Sequence, residues 1–100
     1  MAPTAVSDVG DVTRLTVAFV DLASVATDPT TVTFVMRAPD GTTTTYVYGT
    51  DSELVKDSVG NYHVDWTIAQ ELRHHYEFNG TGTVIASFPG EFYARRRDVA

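Results

Sequence analysis

His63, Asp65, His75 and Glu77 are the side chains of this chain best suited to chemistry: two imidazoles and two carboxylates in two alternating segments. If those segments were neighbouring strands, the two-residue period of a β-sheet would send all four to one outward face. They would then offer the nitrogen and oxygen ligands that zinc accepts. Outward strand positions are polar for solvation alone, and such spacing without cysteine is common by accident. Neither a metal nor any other cofactor is therefore expected. His74 and His75 are adjacent, point to opposite faces of a strand and need a bulge to share one ion.

The other reactive residue types stand in settings that do not suggest catalysis. Asp11, Asp21, Asp28, Asp40, Asp51 and Asp57 sit beside predicted turns or strand ends, where aspartate bonds local backbone groups. Paired carboxylates for glycoside hydrolysis can be assembled from any acidic chain, so their presence carries no weight. Ser7, Ser24, Ser52, Ser58 and Ser87 lack the GxSxG elbow of a hydrolase nucleophile. Gly80-Thr81-Gly82 has no helix after it and no suitable lysine, so it reads as a turn or bulge rather than a phosphate loop. No catalytic residue is assigned, and an enzyme is not expected.

Thirteen acidic residues against seven basic ones give a net charge of -6, which opposes attraction to phosphate backbones and anionic lipid. No apolar run approaches the roughly 20 residues of a spanning helix. Nucleic acid and membrane are both unexpected as partners. Cysteine is absent, which removes disulfides and thiolate zinc sites. Arg95-Arg96-Arg97 is the one basic cluster, read either as a contact with an acidic neighbouring subunit or as a solvated terminus.

These residues need elements to position them, and the pattern is β throughout. Residues 1–10 are small, polar and aperiodic, and read as a flexible arm able to order against a neighbour through residues such as Pro3 and Val6. The arm has neither the basic start nor the apolar run of a signal peptide, so synthesis in a cytoplasm is expected. Val12–Val20 alternates with Leu15, Val17 and Phe19 on one face. Thr31–Ala38 alternates with Val32, Phe34 and Met36 inward. Ala38-Pro-Asp-Gly41 is a turn leading into the β-branched run from Thr42, with Tyr46, Val47 and Tyr48 after it.

Residues 53–56 form a short strand. Gly60-Asn-Tyr-His-Val-Asp-Trp-Thr67 places Tyr62, Val64 and Trp66 on the core face, with Trp66 the candidate central aromatic and His63, Asp65 and Thr67 toward water. Ile68–Arg73 is the one place for a helical turn, too short to hold a helical layer. His75–Gly80, Gly82–Phe88 and Glu91–Arg96 complete about seven strands, with Pro89-Gly90 as the last tight turn. The expected fold is an all-β, antiparallel, immunoglobulin-like β-sandwich over residues 11–97, with an N-terminal arm at 1–10 and a tail at 98–100. A small Greek-key barrel is the alternative.

Asp11-Val-Thr-Arg-Leu-Thr-Val17, Asp28-Pro-Thr-Thr-Val-Thr-Phe34, Arg37-Ala-Pro-Asp-Gly-Thr42, Tyr46-Val-Tyr-Gly49, Gly60-Asn-Tyr-His-Val-Asp65, Gly80-Thr-Gly82 and Gly90-Glu-Phe92 carry a resemblance. Together they resemble the small immunoglobulin-like structural proteins of tailed bacteriophages, particularly those infecting actinobacteria. Where such proteins often read Gly-Thr-Trp before the strand at Tyr76, this chain has Glu71-Leu-Arg-His-His75. The resemblance implies a virion component without catalytic residues, either a capsid decoration protein or a neck or tail component. The implied partners are the major capsid protein, neck and tail proteins or further copies of the same chain, with contact through the arm or through Arg95, Arg96 and Arg97. A sugar- or host-surface-binding module is the rival, in which Tyr46, Tyr48, Tyr76 or Tyr93 would form a stacking platform.

Overall fold

Alternation of apolar and polar residues becomes strand wherever it is unbroken. The computed structural model describes residues 6–95, which form β1 (Val6–Asp8), β2 (Val12–Ala18), β3 (Thr31–Arg37), β4 (Thr43–Val47), β5 (Leu54–Ser58), β6 (Asn61–Thr67), β7 (Leu72–Thr81) and β8 (Ala86–Arg95). No helix occurs among the described residues. One sheet runs β1-β8-β7-β3-β4 and the other β2-β6-β5; all pairs are antiparallel except β1 with β8. The sheets remain separate, so the fold is a β-sandwich and not a closed barrel.

The core lies between their inner faces. Leu15, Val17 and Phe19 from the β2 side, Val32, Phe34 and Met36 from β3, and Tyr62 and Val64 from β6 are all buried, as the alternation predicts. Phe34 is the centre: its ring lies 4.9 Å from Phe78, 6.0 Å from both Tyr46 and Tyr76, and 6.3 Å from Trp66. Trp66 itself is only half-buried at the margin of this cluster. The central aromatic is therefore Phe34 and not the expected Trp66, because Phe34 sits mid-sheet between β4 and β7, whereas Trp66 lies near the end of β6.

Four further differences from the sequence reading have local causes. Val6–Asp8, within the segment read as an arm, adds to β8 in parallel register, Val6 opposite Tyr93 and Asp8 opposite Arg95. Three residues suffice because the edge of β8 supplies the template. The helical turn at Ile68–Arg73 is absent: Ile68 is buried, and its backbone exchanges hydrogen bonds with Gly10 N and Asp11 O at 2.8 and 2.9 Å. That fastening leaves no room for a helical hydrogen-bond pattern.

Pro89-Gly90 is not a turn but lies inside β8, opposite Glu77 and Tyr76, and the true turn is at Gly82-Thr83. Proline is tolerated because β1 covers only the far part of that edge, and glycine is required because the Tyr76 ring occupies the space of a Cβ. Finally, His63 lies on the outward face of its strand yet is only 8 % exposed, because acidic side chains close over it.

Candidate functional site

Two connections at one end of the sandwich build the surface with the clearest capacity for binding. In the β2–β3 connection, Asp21 Oδ1 accepts hydrogen bonds from the Ala23 and Val25 amides at 2.8 and 3.0 Å. The Asp21 amide donates to Val25 O at 2.9 Å, Ser24 takes a left-handed φ of 63°, and Val20 bridges to Ala26. The result is a braced miniature hairpin that carries Leu22 fully into solvent, at 109 % relative exposure.

The β7–β8 connection is braced in turn. Thr30 Oγ1 accepts from the Thr83 amide at 3.2 Å, and Gly82 at φ 89° lets the backbone pass where a Cβ would strike Thr30. Val84 is anchored inward while Ile85, beside it, is 83 % exposed. Between the two connections runs an open groove of about 490 Å³ lined by Val20, Leu22, Val84 and Ile85, with Asp21 and Thr83 among its polar groups. Val25 is exposed beside it. Prearranged apolar anchors of this kind reduce the ordering cost of docking to another surface.

The sequence reading took Asp21–Thr31 as a connection and Gly82–Phe88 as a strand, and passed over Leu22 and Ile85; the strand begins only at Ala86, and residues 82–85 form the turn. The legible signal was apolar side chains inside otherwise polar turn segments, Asp21-Leu-Ala-Ser and Gly82-Thr-Val-Ile85.

Asp28 ties this end to the rest of the molecule. Its carboxylate accepts from Lys56 Nζ at 2.6 Å, the Gly60 amide at 2.8 Å and Tyr62 Oη at 3.0 Å. The Lys56 hydrogen bond, with that of Gly60, holds the carboxyl below the usual range. Burial, reinforced by Asp28, pushes the Tyr62 hydroxyl up to about 12, so it stays a donor.

The four candidate metal ligands do not converge. His63 and Asp65 stand on β6 of the three-stranded sheet, His75 and Glu77 on β7 of the other. His63 Nδ1 meets the Asp57 carboxylate at 2.7 Å, while Nε2 faces Asp65 at 3.9 Å. Arg14 grips Asp65 with a two-point fork at 2.8 and 2.9 Å and thereby holds that carboxyl below its ordinary value. An Asp–His pair supplies two of the three members of a hydrolytic triad, but the far nitrogen faces a second carboxylate where a hydroxyl nucleophile would stand. His75 lies on the outer face of its sheet at 3.5 Å from Glu91, which Arg73 approaches to 3.9 Å.

Among the contact residues read from sequence, Arg95 ends β8 and Val6 begins β1 on the neighbouring edge. Pro3, Arg96 and Arg97 lie outside the described residues. The tyrosines do not form one platform. Tyr46 and Tyr76 pack against Phe34 on the inner face, Tyr48 sets its ring edge-on to Tyr62 at 5.3 Å, and Tyr93 lies on β8. No protein-family model matches this chain, and neither a curated protein nor a solved structure is significantly similar to it.

Proposed function

We propose that the protein is a non-enzymatic structural component of a tailed-phage virion, made in the host cytoplasm and bound to the capsid shell as a decoration protein, with a neck or tail position as the second placement. The observation that carries the binding role is the pair of braced connections that hold Leu22 and Ile85 in solvent beside an open groove. A rigid module with apolar anchors suits attachment to many equivalent sites, which needs a stable scaffold rather than an enclosed pocket.

The strand order supports the immunoglobulin-like part of the reading. With β2 to β8 lettered as strands B, C, C′, D, E, F and G, the sheets run B-E-D and G-F-C-C′, the arrangement of that class of sandwich. Its loop end, where variable domains carry their binding loops, is here the end that presents Leu22 and Ile85. The virion assignment rests on the sequence resemblance.

The test is co-sedimentation of the purified protein with intact shells and, separately, with assembled tail tubes. Saturation on the order of hundreds of copies per shell supports decoration, and a few copies, or binding to tubes alone, moves the protein to neck or tail. Binding to neither overturns the proposal. The double variant Leu22→Ser/Ile85→Ser is expected to keep its thermal stability, since both side chains are exposed, and to lose at least about tenfold in shell affinity.

A further inference from the structure

Among the described residues the sandwich has four outer edges, and three are protected against further strand pairing. On β4 the carboxylate of Asp51 accepts from the Val47 amide at 2.8 Å, and Val47 O accepts from Thr50 and Asp51. β5 carries a register shift between Lys56 and Ser58 along with two charged side chains. β8 is covered for three residues by β1 and interrupted by Pro89. Bulges, charges, prolines and short cover strands are the devices by which proteins block edges.

Among the described residues the fourth edge, β2, has no bulge, proline or cover strand. Its pairing with β6 is unshifted from Val12 to Ala18, it contains no proline, and no strand among the described residues lies against its other side. Its single charge, Arg14, is drawn across the sheet onto Asp65. The hydrogen bonds Phe19 N to Gly60 O at 2.7 Å and Ile68 N to Asp11 O at 2.9 Å set the phase of the ladder. Odd-numbered residues bond β6, so the backbone groups of Val12, Arg14, Thr16 and Ala18 face outward. Their side chains are exposed as well.

We propose that β2 is the seam of a two-fold dimer, in which it pairs antiparallel with β2 of a second copy and joins the two three-stranded sheets. The two-fold sets Val12 opposite the partner's Ala18 and Arg14 opposite the partner's Thr16, and the four outward-facing residues then exchange about eight backbone hydrogen bonds. Sliding by one repeat in one direction opposes Arg14 to the partner's Arg14. Sliding in the other carries Val12 to the partner's Val20, whose backbone is already bridged to Ala26. With the remaining edges guarded, the assembly closes at two copies. This inference is independent of where in a virion, or whether in a virion, the protein sits.

Sedimentation equilibrium of the full chain at about 100 μM tests it, together with two variants at one exposed position. Thr16→Lys sets a cation against the partner's Arg14 twice per dimer and is expected to raise the dissociation constant about tenfold or more, whereas Thr16→Glu sets an opposite charge there and keeps the dimer. A structural perturbation at Thr16 would move both variants alike. Should either variant fail to fold, amide exchange of the wild-type chain decides: Arg14 and Thr16 are expected to gain protection as concentration rises. A wild-type monomer at that concentration, equal behaviour of the two variants, or concentration-independent exchange at Arg14 and Thr16 overturns the proposal.

Discussion

At the scale of single residues, the ring of Phe34 is the best-connected side chain of the core and the one whose loss the fold can least absorb. Phe34→Ala is expected to lower unfolding free energy by about 3 to 5 kcal/mol, because four neighbouring aromatic rings cannot collapse into the void. Trp66→Ala, at the margin, is expected to cost less, and urea denaturation of the two variants orders them. Alternation told which face Trp66 would occupy but not its depth, which depends on how far the opposing sheet extends over the end of β6.

His74 offers a pH test. It is buried, stacks on Phe92 at 4.5 Å, and its Nδ1 donates to Leu72 O at 3.2 Å. Burial lowers its pKa from 6.5, so the unfolded chain takes up a proton before the folded one does. Its contribution to stability is then complete above about pH 6.5 and is lost as the pH falls below that value. His74→Phe keeps the stacking and removes the titration. Between about pH 7 and 5 the variant is expected to show a flatter decline in melting temperature than the wild type.

At the scale of elements, most strands were legible because one face of each is apolar at every second residue. β2, β3 and β6 have this property and were read with their buried residues named. Where the pattern is supplied by a neighbour the reading fails. β1 exists because β8 offers an edge, and β8 stays continuous through Pro89-Gly90 because proline there gives up no bond to β1. The start of β7 carries a related tertiary cost: Leu72 is held at φ 87° with its side chain mostly in solvent. Leu72→Gly is expected to raise stability by about 1 kcal/mol, since glycine takes that conformation freely and little packing is lost. A lower denaturation midpoint in the variant would refute strain at this position.

At the scale of the whole molecule, the net charge of -6 and the terminal Arg95-Arg96-Arg97 make a salt-dependent contact testable. Replacing the three arginines with serine is expected to weaken shell binding more at about 0.05 M than at about 0.5 M salt, because screening already suppresses exposed charge contacts at the higher value. An effect independent of salt would place their role in packing.

From the sequence by itself came the all-β class, the inward sets of the three principal strands, and the want of a recognisable catalytic motif, because period-two alternation and turn chemistry are local properties. Three things were decided only by tertiary structure: the separation of His63 and Asp65 from His75 and Glu77 into different sheets, the exposure of Leu22 and Ile85 beside one groove, and the β2 edge, which alone among the described residues lacks a bulge, proline or cover strand. Each depends on which strands lie side by side and on what covers them, and strand order is set by packing between segments distant in the chain.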